Sequence, residues 1–225
     1  MRRERANLTV RGPAAVPVFP LPDVVLFPGV RLPLHVFELR YRTMVRDALS
    51  GGRTLAIATL QPGWNHDYQG SPAFHPIGCL ARFDQVEWLP NDCYDLLVTG
   101  TERVRFGRVV REFPYRACEV EVLPVTPYDE DDPLVGMERH ALLAEMRRLL
   151  PLGERAWCVT PVTQGDAGFE ATVNMLAQSL RLDTTARLEL LAQDSAVERA
   201  RRLGELMRRI QAPPPPDAGG DAGRN

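Results

Sequence analysis

The chain of 225 residues contains no lysine; all 27 of its basic side chains are arginine. Arginine stays protonated and does not serve as a general base or a Schiff-base amine. This excludes the phosphate-loop lysine of an ATPase, the lysine of a Ser–Lys protease dyad and the attachment of pyridoxal phosphate. Long apolar runs are also missing, since no stretch approaches the ~20 residues that span a bilayer. No membrane partner is therefore expected. Residues 1–12 are charged and lack the apolar core of a secretory signal, so a cytoplasmic location is the default expectation. Cysteine is sparse, and Cys79, Cys93, Cys118 and Cys158 form no C-x-x-C pair, so they read as buried thiols rather than disulfides or metal ligands. Only four serines occur, none in a G-x-S-x-G elbow. With a net charge of −2 the molecule has no overall field for a polyanion, and nucleic acid is not the expected partner.

The densest structural signal lies in Val16–Leu49. Two apolar strands interrupted by prolines run into one amphipathic helix. Pro17, Pro20 and Pro22 predict that the first strand lies at a sheet edge or bulge, because proline cannot donate to a ladder. Pro28-Gly29 is a turn, with glycine free to take φ > 0. From Leu39 the apolar period changes from two to about 3.6, placing Tyr41, Met44, Val45, Ala48 and Leu49 on one face. Gly51-Gly52 stops the helix.

Further along, Thr54–Leu60 reads as a central strand. A long loop follows, Gln61–Pro76, whose Trp64, Tyr68 and Phe74 make it the best candidate contact surface. Ile77–Trp88 and Cys93–Thr99 form a hairpin, Gly100-Thr101 breaks the pattern, and Arg103–Val110 and Ala117–Leu123 supply two more strands. Trp88 reads equally as core or as contact residue. About six short strands suit a small closed barrel with a packed helix. Thr126–Pro133 is an acidic linker. Helices follow through residue 211: the first carries Met137, His140, Ala141, Ala144 and several leucines, and the last carries Val197, Ala200, Leu203, Met207 and Ile210 on one face. Arg199, Arg201, Arg202, Arg208 and Arg209 read as a solvated face offset by Glu198 and Glu205. Residues 1–15 are expected to be a flexible N-terminus, and 212–225 a disordered tail.

Catalytic constellations are weak. Ser71, His75 and Asp67 share one loop, which cannot hold the rigid geometry of a triad. His66, His75 and Cys79 lack a fourth zinc ligand. Glu38, Arg40 and Tyr41 sit where strand becomes helix and read as an ion pair or cap fixing that corner.

The run Phe19-Pro20-Leu21-Pro22, Leu26-Phe27-Pro28-Gly29, Leu32-Pro33-Leu34 and Phe37-Glu38-x-Arg40-Tyr41-x-x-Met44 resembles the N-terminal substrate-binding domain of the Lon protease family. The resemblance continues through Ile77–Arg82 and Leu96-Leu97-Val98-x-Gly100-x-x-Arg103, covering roughly residues 16–211. It implies an α+β fold: a PUA-like β domain over 16–125, the linker over 126–133, and a helical bundle over 134–211. It also implies binding of unfolded or tagged polypeptides through exposed hydrophobic segments, without catalysis and without a cofactor or metal. Neither a phosphate loop nor a catalytic dyad follows the domain, so degradation would fall to a separate protease. On this reading Trp64, Tyr68, Phe74 and Trp88 are the candidate substrate contacts. The motif residues Phe27, Pro28, Gly29, Phe37, Glu38, Arg40 and Tyr41 are structural. PUA-like folds also suggest RNA binding as an alternative, which would use arginines such as Arg103, Arg105 and Arg108.

Overall fold

The computed structural model describes residues 15–68, 70–149 and 168–211. Nearly all of the expected flexible N-terminus, the irregular link with Trp157 and Cys158, and the proline-rich tail lie outside the described residues. The elements, in chain order, are β1 (Val16–Leu21), β2 (Arg31–Val36), α1 (Leu39–Ser50), β3 (Thr54–Leu60), β4 (Phe74–Trp88), β5 (Tyr94–Arg111), β6 (Ala117–Val122), α2 (Pro133–Leu149), α3 (Phe169–Ser179), α4 (Thr184–Ala192) and α5 (Ala196–Gln211). The hydrogen-bonded order is β2-β5-β4-β3-β1-β6, and β6 pairs with β5 as well as β1, so the order returns to β5. All pairs are antiparallel except β1 with β3. That parallel pair needs a crossover, which β2 and α1 provide.

The prolines explain how the strands meet. β1 is not an edge strand, contrary to the expectation from its prolines, because it lies between β3 and β6. Each proline falls where its missing donor has no acceptor to meet. The Val18 amide donates to the Arg116 carbonyl on the β6 side at 2.8 Å. By alternation Pro20 faces that same side, beyond the point where pairing with β6 has ended. Pro17 faces β3, whose ladder starts one residue later at Val18. The true edge is β2. The Val30 carbonyl accepts from the Gly100 amide, which by the same alternation turns Arg31, Pro33 and His35 toward the open side. Pro33 thus blunts the open edge.

Gly100 does not end a strand either. β5 runs through it for 18 residues with a register shift against β4. A Cβ at Gly100 would collide with the Phe27 carbonyl oxygen, so glycine is required by close approach of the Phe27–Gly29 turn. Gly29 in that turn has φ +79, and the Val30 amide closes it on the Phe27 carbonyl at 3.2 Å.

α1 buries Tyr41, Met44, Val45 and Ala48, the face its period predicts. β3 is buried from Leu55 to Leu60. α5 buries Ala196, Ala200, Leu203 and Met207, whereas Ile210 is exposed. α2 forms over the expected helical stretch; it buries Val135, Leu142 and Met146 and leaves Met137, His140, Ala141 and Ala144 exposed. Its own period allows either stripe, and docking on α5 selects one. The main cluster of buried apolar side chains extends from Phe19 and Phe27 through α1 and the strands to Phe169, Leu190 and Met207. Strands and helices therefore share one core.

Candidate functional site

The corner where β2 becomes α1 organises the surface around it. Glu38 precedes the helix in an extended conformation and makes no side-chain cap. Its carboxylate turns instead to accept the Arg40 Nε at 3.0 Å and the Tyr68 hydroxyl at 2.5 Å. Arg40 also donates to the Tyr68 carbonyl at 2.9 Å and lies over the Tyr41 and Tyr68 rings. Of the two contacts expected at this corner, the ion pair forms and the cap does not. Tyr68 is consequently clamped from the long loop onto α1, and Trp64 lies edge-on to it at 5.4 Å. Burial, reinforced by the carboxylate, raises the pKa of the Tyr68 hydroxyl. Tyr41, packed 4.6 Å from Phe19, is pushed up to about 12 by burial.

The other residues marked in the sequence lie apart from this corner. Phe74 is half-buried, edge-on to Phe106 at 5.0 Å and covered by the Arg116 guanidinium at 4.6 Å. Trp88 is 69% exposed at the end of β4. Its indole donates to Asp92, and Arg42 of α1 donates to the same carboxylate at 2.7 Å, fastening the hairpin tip to the helix. Phe37 is 62% exposed and stacks on His35. Phe27 is fully buried, and the Pro28 carbonyl accepts from Asn174 of α3 at 2.9 Å. Ser71 donates to Glu112 and Asp67 accepts from the Ser71 amide. Cys79 is buried, its thiol pushed up to about 12 by desolvation.

Two arginines read as surface groups are interior. Arg103 of β5 donates to the carbonyls of Leu191 and Pro124 and to Asp194. Arg199 of α5 donates to the carbonyls of Leu190 and Gln193, to Asn174 at 2.7 Å and to Glu170. Both fill the C-terminal end of α4, where carbonyls lack helical partners and the helix dipole favours a cation. Arg103 is therefore unavailable to a phosphate, and Arg108 is paired with Glu119 at 2.6 Å.

A surface missed in the sequence adjoins the corner. Leu39 and Phe113 are 68% and 78% exposed. With Glu38, Arg40, Thr43 and Pro114 they line an open cleft of about 540 Å³. A narrower cavity of about 100 Å³ continues from it between Pro20, Gly70, Ser71, Glu112, Tyr115 and Arg116. The signal available in the sequence was Phe113-Pro114, an aromatic in the short β5–β6 connection. Nothing local placed it beside residue 39.

The model of the ATP-dependent protease La (LON) substrate-binding domain matches residues 15–209. The chain belongs to the Lon substrate-binding domain family. A Lon N-terminal domain protein from Xanthomonas campestris superposes with a TM-score of 0.60 at 26% identity, covering 87% of this chain and 98% of that one. The N-terminal domain of the Mycobacterium avium complex Lon protease gives 0.62 at 20% identity, covering 87% and 98%, a likeness of fold. Lon protease 2 of Herpetosiphon aurantiacus is 25% identical over 201 residues, 85% of this chain and 23% of that protein. The chain spans a quarter or less of the length of the full Lon proteases it matches. The family match and the solved relatives both concern the Lon substrate-binding, N-terminal region.

Proposed function

We propose that this Lon substrate-binding domain protein is a non-catalytic recognition module that binds exposed hydrophobic segments of unfolded or tagged polypeptides. Any cleavage is left to a separate protease, and no cofactor takes part. The observation that carries the reading is the exposed apolar cleft of Leu39, Phe113 and Pro114 beside the Trp64–Tyr68 turn, in a family described by substrate binding. Large apolar side chains left in contact with water mark interaction surfaces. Phe74 and Trp88 flank this surface as further candidates, Phe74 behind Arg116 and Trp88 across α1. We also read the closed strand order as a PUA-like barrel, the helices over 134–211 as a bundle, and 126–133 as the architectural boundary between them, in a protein that works in the cytoplasm.

The test is titration of a labelled, denatured model protein against the intact chain and two variants. Leu39→Ala with Phe113→Ala removes two exposed side chains, and binding should weaken about tenfold or more if both are covered by substrate. Trp64→Ala with Tyr68→Ala and Phe74→Ala should weaken it too. Unchanged affinity in both would reject this surface.

A further inference from the structure

Arg116 is the unexplained group of the surface just described. It lines the narrow cavity and is half-buried over the Phe74 ring. Its guanidinium meets no hydrogen-bond or ion-pair acceptor among the described residues. Its neighbours in that cavity are provided for. Arg40 is held by Glu38 and the Tyr68 carbonyl, Ser71 donates to Glu112, and Tyr115 donates to Asp47 at 2.6 Å. A guanidinium that has lost part of its hydration without gaining an acceptor is an anion site waiting to be filled. Burial also lowers its pKa, and the Glu112 charge in the same cavity offsets this only in part.

The narrow cavity and the apolar cleft share Arg40, Phe113 and Pro114 as a common wall. An occupant must therefore present an anion and an apolar group from nearly the same point. Inside an extended chain, adjacent side chains point to opposite faces, and those two apart are ~6.6 Å distant. A chain terminus has no such difficulty, because its last residue carries a carboxylate and a side chain on one Cα.

We infer that the paired cavities receive the C-terminus of a polypeptide, with the terminal carboxylate on Arg116 and an apolar last side chain against Leu39, Phe113 and Pro114. The inference rests on the recognition reading and specifies which part of a substrate is gripped. Free, apolar C-termini become available when a chain unfolds, is cleaved or is tagged at its end. Glu112 disfavours a second negative charge nearby and so keeps the preference moderate.

The experiment uses the full chain and two acetylated peptides of identical sequence ending in leucine, one with a free terminal carboxylate and one amidated, followed by fluorescence anisotropy. The free acid should bind about tenfold tighter than the amide, the worth of one charge-assisted contact. Arg116→Gln should erase the difference, Arg116→Lys should restore part of it, and Glu112→Gln should tighten the acid without altering the amide. Circular dichroism checks that each variant is folded, and if Arg116→Gln is not, the Glu112→Gln result decides. Equal binding of acid and amide by the unaltered chain, with denatured protein still held, overturns this inference and leaves the recognition reading standing. Failure to hold either peptide or denatured protein removes both.

Discussion

Arg199 carries its charge into a site with no accessible surface, where four acceptors surround it. A charge so placed is retained only while its partners are. Arg199→Ala should leave Asn174, Glu170 and two helix-end carbonyls unsatisfied. Roughly 3–5 kcal/mol of stability should disappear, read as a lower denaturation midpoint, whereas Arg208→Ala on the exposed side of α5 should change little. Tyrosines give a second test at this scale. Tyr41 and Tyr128 are both pushed up to about 12, chiefly by burial, from 10.0. Below pH 10 both folded and unfolded chains keep these protons and the contribution is intact. As pH rises from 10 toward 12 the unfolded chain ionises first, so stability falls across that window. Alkaline denaturation curves should show this loss, the phenolate absorbance of the folded protein should lag that of the denatured chain, and Tyr41→Phe should remove part of the pH dependence. The network also gives the motif residue Pro28 a place in the fold. Pro28 receives Asn174, Asn174 receives Arg199, and Arg199 holds α4, so the family turn anchors the helices.

Among the elements, β2 is most exposed to error. Among the described residues its outer side is unpaired, and such an edge recruits other strands. Pro33 removes one donor from that side, and a polar pair, the His35 imidazole hydrogen-bonded to Asp95 at 2.6 Å, stands alongside. Pro33→Val should restore a donor and raise self-association, measured by light scattering or sedimentation, with little change in the far-UV spectrum. A variant that remained as monodisperse as the parent would show that the proline is not what protects the edge. The helix caps are local contacts: Asp183 accepts the Ala186 amide at 2.7 Å, and Ser195 accepts the Glu198 amide. Both act over three residues, so local sequence suffices. The continuity of β5 through Gly100 was not legible, because the reason for that glycine is a carbonyl more than seventy residues earlier.

For the whole molecule, the shared apolar core predicts a single cooperative transition. Residues on β1, α1, β4, α3 and α5 belong to one cluster, so the residues before and after the acidic stretch at 126–133 should lose their structure together. Far-UV ellipticity, weighted toward the helices, and tryptophan fluorescence, including Trp64 and Trp88 in the strand region, should report the same midpoint in denaturant. Two separated midpoints would show that the strands and helices hold together independently.

The sequence by itself determined the family, the α+β class, the strand-to-helix corner and the buried face of α1, since each depends on motif order or on neighbours within a turn or two. Tertiary structure alone decided that β1 is internal, that Arg103 and Arg199 are buried, and that Phe113 stands beside Leu39 next to the half-buried Arg116. Those outcomes depend on which distant carbonyl, ring or carboxylate comes within a few ångströms. Local periodicity carries no record of such meetings, because a side chain's exposure is set by what the rest of the chain folds over it.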